Sequence, residues 1–284
     1  MKTLLGVVAS PRKFGNSELF VKEVHRQIEG EWQLRLMRLP ELNILPCRAC
    51  YQCLFGEMRC PQDDDFAVAL EALLQADALV VAAPTYFLGA NASVKRFLDR
   101  GLAFYAHLDA LWGKPAVGVA IAGIHGMEGY TKLGVDSFIK LILADHRGSA
   151  VTYGALPGEI FLEQKGREVA AQLAKALIHG KPATASSTSD CPVCGGDTFR
   201  FLPDGTVRCM LCSGSGRVAA RDHGIQFHID PGDHQFFVSH ESARRHADWL
   251  RGMKEMFLAR RKELKAITQD YKQEGMWVRG KGKS

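Results

Sequence analysis

The eight cysteines of this 284-residue chain form two groups of four, and no cysteine is left over. The first quartet, Cys47, Cys50, Cys53 and Cys60, has the spacing C-x2-C-x2-C-x6-C. The second quartet, Cys191, Cys194, Cys209 and Cys212, has the spacing C-x2-C-x14-C-x2-C. Four thiolates are the ligand set that one tetrahedral zinc ion or one iron–sulfur cluster requires. Because the two spacings differ, we expect the quartets to hold different metals and to have different roles.

The second quartet consists of two C-x2-C pairs separated by a stretch that predicts a β-hairpin, with its turn at Pro203-Asp204-Gly205. This is the arrangement of a zinc ribbon, so we predict that all four cysteines bind one Zn2+. A rubredoxin-like mononuclear iron is the alternative. A module of this size cannot bury enough core alone, so the metal is expected to supply folding energy. We expect a structural role, with docking of nucleic acid or protein as the alternative.

The first quartet is too compact for the two separated pairs of a zinc knuckle. Its C-x2-C-x2-C run is similar to the first three ligands of a bacterial-type [4Fe–4S] loop, and Cys60 can close the site. The quartet also follows a predicted second strand. In a doubly wound sheet the loops after successive strands open on one carboxyl edge, where ligands bind. This position predicts a redox role for Cys47, Cys50, Cys53 and Cys60.

The composition is that of a soluble globular protein, with 46% hydrophobic residues, 24% charged residues and a net charge of +5. This mild charge does not argue for nucleic acid. No apolar run approaches the roughly 20 residues of a membrane helix. The opening segment predicts a strand rather than a leader, so we expect a cytoplasmic protein. In such a protein, C-x2-C pairs favour metal binding over four disulfides.

The elements that must position these sites alternate between strand and helix over residues 1–180. Strands are predicted at Thr3–Ala9, Gln33–Leu39, Ala78–Ala83, Pro115–Ala122 and Ala150–Ala155. Helices are predicted at Ser17–Ile28, Phe66–Leu74, Ser93–His107, Asp136–Asp145 and Glu163–Ile178. Five βα units predict an α/β fold, namely a flavodoxin-like doubly wound parallel sheet of order 2-1-3-4-5.

The remaining residues predict three further parts. Residues 181–190 form a polar linker, residues 191–216 form the zinc ribbon, and residues 217–284 form an irregular segment and one long amphipathic helix over Ser242–Ile267. The apolar stripe of that helix consists of Ala243, Ala247, Leu250, Met253, Phe257, Leu264 and Ile267. We expect it to pack on the body or on another subunit, not on a membrane. The four histidines at 223, 228, 234 and 240 are expected to be loop or surface residues, and the last six residues to be disordered.

The turn after the first strand has the composition of an anion cradle. It places Ser10, Arg12, Gly15, Asn16 and Ser17 between a strand and a helix. Backbone N–H groups and the helix dipole favour phosphate there, Gly15 permits close approach, and Ser17 is a candidate N-cap or phosphate ligand. The pattern is neither the dinucleotide fingerprint nor the nucleoside-triphosphate loop. An ordinary capped βα turn is the alternative.

The turn after the third strand supplies a backbone wall with aromatic neighbours, as a flat cofactor ring requires. It consists of Pro84, Thr85, Tyr86, Phe87, Leu88 and Gly89. Aromatic packing beneath a loop is the alternative.

Three stretches resemble the NADPH-dependent FMN reductase family of flavodoxin-like proteins: S-x-R-x-x-G-N-S at 10–17, P-T-Y-F-x-G at 84–89 and K-x-F-L-D-R at 95–100. The resemblance covers about residues 1–180. It implies FMN with its phosphate on Ser10, Arg12, Asn16 and Ser17. It implies that the isoalloxazine lies against residues 84–89, with Gly123, Ile124 and His125 as the other wall. Lys95, Asp99 and Arg100 are expected to fix the helix and its loop rather than to touch flavin.

Within that family the cysteine-rich loop looks like the iron–sulfur flavoprotein branch, which implies a [4Fe–4S] cluster near FMN. Cluster-free relatives keep a similar loop with an acidic pair, and Pro61 to Phe66 fits that pattern too. A thiol-lined lid or another metal is therefore the alternative. The resemblance also implies a flavin surface at a subunit interface, so a homodimer or homotetramer is expected.

The function predicted is an FMN-dependent iron–sulfur flavoprotein oxidoreductase. Reduced nicotinamide or a ferredoxin-like donor would supply electrons, and the cluster would be the one-electron port. Tyr86 and His125 are the candidate catalytic side chains. A cluster-free NAD(P)H-dependent flavin or quinone reductase is one alternative. A redox-sensing binding module that uses the zinc ribbon is the other.

Overall fold

The computed structural model describes residues 1–55, 57–180, 189–221, 224–272, 274–276 and 278, which form two sheets with their helices. The larger sheet has five parallel strands in the order β2-β1-β3-β5-β6, and a short β4 pairs antiparallel with the end of β3. The strands are β1 (Lys2–Val8), β2 (Trp32–Arg38), β3 (Ala78–Tyr86), β4 (Gly89–Ala90), β5 (Pro115–Ala122) and β6 (Asp145–Tyr153). Counting the parallel strands alone, this is the predicted order 2-1-3-4-5, so the doubly wound α/β fold is confirmed.

Helices cover both faces of this sheet. They are α1 (Asn16–Gln27), α2 (Phe66–Gln75), α3 (Ala92–Leu98), α4 (Leu102–Ala106), α5 (Leu108–Leu111), α6 (Thr131–Leu141) and α7 (Gln164–His179). Short 3-10 turns occupy residues 39–41, 52–54 and 159–161. Apolar side chains of α1 and α7 pack with those of β1, β3 and β5 on one face. The other face packs against α2, α3, α4 and α6, with Phe66, Phe97 and Phe138 in the centre.

Two predicted helices have different bounds in the structure. The helix expected over 93–107 is interrupted at Asp99–Gly101, where Arg100 and Gly101 bond back three residues instead of four, so α3 and α4 are separate. The helix expected at 136–145 is α6, which begins at Thr131 and ends at Leu141. Leu143 follows in the left-handed region (φ 69°), and β6 then starts at Asp145 instead of Ala150.

The smaller sheet is antiparallel in the order β10-β9-β8-β7. Its strands are β7 (Phe199–Phe201), β8 (Val207–Cys209), β9 (Ser215–Arg221) and β10 (Gly224–Asp230). The predicted turn joins β7 to β8, with Gly205 at φ 79°. The structure differs from prediction in making residues 215–221 and 224–230 a second hairpin instead of an irregular segment. The sequence of this second hairpin contains few alternating apolar residues. Gly216 is one position that must stay small, because a Cβ there would lie 1.8 Å from the His228 carbonyl oxygen.

The C-terminal helix predicted as one element is two, α8 (His240–Ala259) and α9 (Arg261–Asp270), with the break at Arg260. Ser239 caps α8 through a reciprocal bond with Ser242. The first part of the predicted stripe, Ala243, Ala247 and Leu250, is buried, whereas Phe257 and Ile267 are about half exposed. Residues 181–188 of the predicted linker, His223 and the whole of the predicted disordered tail, residues 279–284, lie outside the described residues. No described helix is long and apolar enough to cross a membrane.

The smaller sheet does not have a core of its own. Its buried residues Val207, Phe227 and Ile229 belong to the same apolar cluster as Phe97 and Phe138 beneath the large sheet. Phe199 and Phe227 stack at its centre, with ring centroids 3.6 Å apart. The second sheet is therefore packed against the first domain as part of one core.

Candidate functional site

A cleft opens at the carboxyl edge of the large sheet, where the segments after β1, β3, β5 and β6 meet. The side chains and backbone that line it are those of Ser10, Arg12, Asn16, Ser17, Pro84, Thr85, Tyr86, Ile121, Gly123, Gly154 and Ala155. Ligands of open parallel sheets bind at this edge. The cleft therefore brings together the predicted phosphate loop, most of the predicted flavin wall and the segment after β6. The sequence did not predict that this last segment, Gly154 and Ala155, belongs to the site.

The phosphate loop is held from behind by a charged pair. Arg38 donates hydrogen bonds to the carbonyls of Ser10 and Arg12, each at 2.9 Å, and pairs with Glu18 at 2.5 Å. Glu18 also accepts the backbone N–H of Phe14 at 2.8 Å. Phe14 itself lies in the left-handed region (φ 53°). These contacts fix the path of the loop with side chains that do not line the cleft.

The carboxyl of Glu18 is nearly buried but remains ionised. Burial acts to raise its pKa, whereas hydrogen bonds from Lys22, Arg38 and the Phe14 amide outweigh burial and lower the pKa to about 2. A permanent anion at this point keeps Arg38 in place at any physiological pH. The loop is consequently preorganised before an anion arrives.

Asn16 connects the phosphate loop to the segment after β6. Its amide donates to the Gly154 carbonyl at 2.8 Å, and its side-chain oxygen accepts the Gly158 amide at 2.8 Å. Arg12 reaches the Ala155 carbonyl at 3.1 Å. The Asn16 side chain therefore has a bridging role, which the sequence motif alone did not reveal.

The wall of the cleft after β3 carries an unsatisfied polar atom. The Thr85 hydroxyl oxygen is buried and has no hydrogen-bond partner in the described residues. Buried polar atoms are normally paired, so an orphan in a ligand cleft is an observation that fits a bound polar ring. The donor set also fits a phosphorylated flavin, since two hydroxyls and a guanidinium lie at one end and backbone lies at the other.

The β3–β4 turn is supported by the loop that follows β5. The Tyr130 amide donates to the Leu88 carbonyl at 2.7 Å, and the Tyr130 ring occupies the space beside Gly89, where a Cβ would lie 2.6 Å from it. Gly129 has a positive φ of 54°, and a Cβ there would lie 2.2 Å from the Leu88 carbonyl oxygen. Tight backbone contact between these loops therefore sets the shape of the wall.

The remaining predicted flavin residues lie around the cleft rather than in its lining. Gly15 is the N-cap of α1, so Ser17 is not the cap residue. Phe87 and Leu88 form the exposed tip of the β3–β4 turn, and Ile124 is exposed. His125 stacks at 4.5 Å on Tyr153, whose hydroxyl donates to Glu128. The residues that prediction missed are Ile121, Gly154 and Ala155; the predicted strand order gave a signal for the last two, since β6 neighbours β5.

The first quartet occupies an irregular, partly exposed loop. Cys47 and Cys50 are exposed, Cys60 is half-buried and Cys53 is buried. Burial and the three neighbouring cysteines raise the pKa of Cys53 to about 11. Ala49, Tyr51 and Met58 have positive φ angles between 50° and 60°, an unusual density for residues other than glycine. The loop is therefore shaped around its cysteines at a local backbone cost.

Two N–H groups point at sulfurs of this loop. The Ala49 amide donates to Cys47 Sγ at 3.4 Å, and the Arg100 guanidinium donates to Cys60 Sγ at 2.9 Å. Donors of this kind surround thiolate ligands of metal centres. Four cysteines with N–H donors at two of their sulfurs are a set that fits an iron–sulfur cluster.

The second quartet has the geometry of a single-ion site. Its four sulfurs lie within 4.8 Å of one another, with Cys191 to Cys212 at 3.8 Å and Cys194 to Cys209 at 3.6 Å. A tetrahedral ion with a metal–sulfur distance of about 2.3 Å places its sulfurs about 3.8 Å apart. Within the described part of the chain, this is the one group of three or more metal-type ligands that converges in this way.

The two knuckles of this site repeat one backbone pattern. Gly195 donates to the Cys191 carbonyl at 2.8 Å, and Ser213 donates to the Cys209 carbonyl at 3.0 Å. Both donors follow the second cysteine of their pair and have positive φ, 74° and 62°. Two similar turns of this kind are the pattern that the sequence predicted for a zinc ribbon. The four-cysteine module, residues 191–221 and 224–230, is called the ribbon below.

The ribbon is joined to the flavodoxin-like domain by a charged chain. Lys132 on α6 pairs with Asp197 of the ribbon at 3.0 Å and with Asp136 at 2.7 Å. Asp136 is buried and also contacts His146 at 3.3 Å. Lys132 lies two residues after Tyr130, which supports the β3–β4 turn. The ribbon therefore contacts α6, the helix that Tyr130 precedes.

Comparison with known proteins identifies the first part of the chain. Residues 2–133 match the NADPH-dependent FMN reductase family. These residues belong to that family. An iron–sulfur flavoprotein of Archaeoglobus fulgidus is 28% identical over 180 residues, which cover 61% of this chain and 79% of that protein. An iron–sulfur flavoprotein of Methanocaldococcus jannaschii is 33% identical over 98 residues, or 34% of this chain and 50% of that protein.

A solved structure described as a flavone reductase has the same fold over almost the whole length. It superposes with a TM-score of 0.75 at 17% identity and covers 98% of this chain and 100% of that chain. At this level of identity the likeness shows the fold alone. It extends beyond the sheet of the FMN reductase family to the ribbon and the C-terminal helices.

The predicted resemblance to the FMN reductase family and to its iron–sulfur flavoprotein branch is confirmed by these matches. The family match over residues 2–133 and the cleft at the sheet edge support an FMN-dependent oxidoreductase.

Proposed function

We propose that the protein is an iron–sulfur flavoprotein that passes electrons between reduced nicotinamide or a ferredoxin-like donor, FMN and a [4Fe–4S] cluster. The observation that carries the proposal is the position of the first quartet. It follows β2 and opens on the carboxyl edge of the same sheet as the flavin cleft, in a chain whose relatives are named iron–sulfur flavoproteins.

The cleft residues would hold FMN as follows. Ser10, Arg12 and Ser17 would bind the phosphate at the start of α1, where the helix dipole adds to the attraction. Thr85 would donate its unsatisfied hydroxyl to a polar atom of the ring, and Gly123 would let the opposite backbone approach closely. Bound FMN supplies two-electron hydride chemistry and one-electron transfer in one cofactor. Tyr86 and His125 stay the candidate side chains for substrate contact.

A matched pair of glycine substitutions tests the flavin site. In Gly129→Ala the added Cβ collides with the Leu88 carbonyl, whereas in Gly126→Ala the Cβ meets nothing within 4 Å, although both residues have positive φ. The two variants share the left-handed backbone penalty of about 1 kcal/mol. Only Gly129→Ala should weaken FMN binding, by about tenfold, in a titration followed by flavin fluorescence. Equal affinities for both variants would show that this wall does not contact flavin.

The first quartet would hold the cluster through all four cysteines. Cys47 and Cys50 lie on the exposed side of the loop, and Cys53 and Cys60 lie on its buried side. A bound cluster supplies one-electron transfer. The experiment is anaerobic reduction by NADPH or NADH, followed by low-temperature EPR of the wild type and of Cys50→Ser. A cluster signal that appears with reduced flavin in the wild type and is absent from Cys50→Ser supports electron transfer between the two cofactors.

We also propose Zn2+ for the second quartet, with a structural role. The sulfur distances carry the assignment of a tetrahedral ion, and the shared core and the Lys132–Asp197 pair carry the role. Zinc ribbons that read nucleic acid present basic surfaces, but residues 191–230 contain four arginines and four aspartates, so their balance of charge does not favour nucleic acid.

A second candidate function is a cluster-free NAD(P)H-dependent reductase of an apolar aromatic acceptor. The observation that favours it is the exposed apolar rim of the cleft, which includes Phe14, Phe87, Ile124, Met127 and Leu156. The structure with the same overall fold is described as a flavone reductase, an enzyme name that fits such a rim. Cys50→Ser discriminates the two functions. Full NAD(P)H-dependent turnover of a quinone or flavone by Cys50→Ser favours the second function.

A further inference from the structure

Arg100 is the most deeply buried cation near the first quartet. Its side chain is 1% exposed and that of Asp64 is 0% exposed, with the closest atoms of the pair 2.6 Å apart. One terminal nitrogen of Arg100 donates to Asp64 and to the Leu45 carbonyl, and the other donates to Asp64 and to Cys60 Sγ at 2.9 Å. The guanidinium also lies 4.6 Å above the Phe66 ring. Arg100 therefore connects the end of α3 to both sides of the cysteine loop.

The groups around the Arg100 guanidinium direct one of its N–H groups at the sulfur of Cys60. Asp64 divides its negative charge among Arg100 and the backbone amides of Leu45 and Phe66. A buried charge pair is favourable only when its remaining donors are satisfied. Cys60 supplies the acceptor for one of the four terminal N–H groups of Arg100, and the Leu45 carbonyl and the two Asp64 oxygens accept from the others. The geometry thus directs a charged N–H donor at the Cys60 sulfur.

We propose that Arg100 is a positioning residue of the iron–sulfur site, which holds Cys60 for ligation and raises the reduction potential of the cluster through its N–H···S bond. This inference rests on the proposed function, because it requires that the first quartet ligates a cluster. It assigns to Arg100 a role toward the metal centre, in addition to its part in the K-x-F-L-D-R stretch.

The direction of the effect follows from charge. One-electron reduction adds a negative charge that spreads over the irons and the ligating sulfurs. A hydrogen bond to a ligating sulfur and a nearby positive charge stabilise that charge, so they favour the reduced cluster. Because Arg100 and Asp64 are almost completely buried, solvent screens them weakly. Asp64 has the opposite sign and must act in the opposite direction.

The test is a redox titration of anaerobically reconstituted full-length protein, in which the cluster is followed by EPR. In Arg100→Lys the ammonium can still pair with Asp64 but cannot reach Asp64 and Cys60 together. At the wild-type midpoint potential, the ratio of reduced to oxidised cluster should fall about tenfold, which corresponds to 59 mV for one electron. In Asp64→Asn the same ratio should rise, by about threefold. Arg96→Gln, an exposed charge removal on α3, is the control and should leave the ratio unchanged.

Opposite shifts of the cluster potential in Arg100→Lys and Asp64→Asn support the proposal. If the ion pair only held the loop together, the two substitutions would shift the potential in the same direction or leave it unchanged. An unchanged potential in Arg100→Lys, or a fall in Asp64→Asn, overturns it. If Arg100→Lys does not fold, the sign of the Asp64→Asn shift decides alone. Failure of the proposed function is separately visible, because wild-type protein would then contain no iron or sulfide to titrate.

Discussion

The two cysteine quartets contain the same four ligands and are built in opposite ways. The sulfurs of the second quartet lie within 4.8 Å of one another, three of its cysteines are buried, and its two turns repeat one backbone pattern. The first quartet has two exposed cysteines and three residues with strained backbone. The second quartet has the geometry of a site for one ion, whereas the first quartet leaves two of its cysteines exposed.

The surroundings of the two quartets also differ, since the second is packed into the core and the first lies in a partly exposed loop. The ribbon shares its apolar core with the flavodoxin-like domain, so a metal bound by the second quartet would stabilise a large part of the molecule. The first quartet is tied to the fold through a buried ion pair and follows β2, whose carboxyl end lies on the same side of the sheet as the cleft. A metal that supports the fold is expected to be enclosed, and a metal that exchanges electrons must be approachable. The four predictions below separate these two roles.

The largest effect is expected for loss of a ribbon ligand. Structural zinc sites contribute about 10–16 kcal/mol of apparent binding free energy, which the folded ribbon needs in order to form. Cys191→Ser should therefore lose zinc, unfold the ribbon and lower the melting temperature of the whole chain in calorimetry. Cys47→Ser is the matched control, since it removes an exposed ligand from the other site. A similar loss of melting temperature in both variants would show that the first quartet is also structural.

Oxidation should separate the sites next. Exposed thiolate ligands are attacked first, so mild ferricyanide or air should remove iron from the first quartet within the time that leaves the buried second quartet intact. Metal analysis after desalting should show iron lost and zinc retained. Simultaneous loss of both metals would contradict the difference in access between the two quartets.

The contact between the ribbon and α6 should contribute a smaller amount. Lys132→Met removes the partner of Asp197 and of the buried Asp136, and leaving a buried charge without its partner costs about 2 kcal/mol. Lys95→Met is the control, because Lys95 forms an i,i+4 pair with Asp99 of the same kind on an exposed surface. Such exposed pairs contribute about 0–1 kcal/mol. Lys132→Met should therefore lower the midpoint of urea unfolding more than Lys95→Met does. Equal midpoints would show that the Lys132 pairs contribute no more to stability than an exposed pair.

Acid should weaken the pairs of Asp136 with Lys132 and His146, beside this contact, with a still smaller, measurable effect on the free energy of unfolding. Burial acts to raise the pKa of Asp136, but hydrogen bonds and charge from His146 and Lys132 outweigh burial and lower the pKa from 3.8 to about 2. Because the folded pKa is below the unfolded pKa, this stabilisation is present above about pH 4 and is lost as the pH falls through 2. Its full size is about 2 kcal/mol. Between pH 5 and pH 3, wild type should lose about 1 kcal/mol more stability than Asp136→Asn in urea unfolding; parallel losses would contradict the ionised pair.

The parts of the molecule that the sequence predicted are those with local signals. β1 and β5 are continuous apolar runs because both faces of the sheet are covered, and the Pro203-Asp204-Gly205 turn requires a residue with positive φ. The β9–β10 hairpin was missed because small and polar residues hide its alternation. The break at Asp99–Gly101 was missed because no proline marks it.

The site residues that prediction missed depend on contacts between distant parts of the chain. Gly154 and Ala155 enter the cleft because β6 lies beside β5 and Asn16 bonds to the segment after β6. Asp64 and Arg100 are 36 residues apart, and Lys132 and Asp197 are 65 apart, so their pairing is set by packing and not by local pattern. The sequence identified the ligand residues of both cysteine sites. It did not show that the sulfurs of the second quartet converge while two cysteines of the first are exposed.

Metal and sulfide analysis of protein purified without oxygen tests the central difference between the quartets most directly. The expected content is about four iron, about four acid-labile sulfide and about one zinc per chain, with Cys50→Ser losing only the iron and sulfide and Cys191→Ser losing the zinc. Two zinc ions per chain with no sulfide would contradict it, because the two quartets would then be the same kind of site.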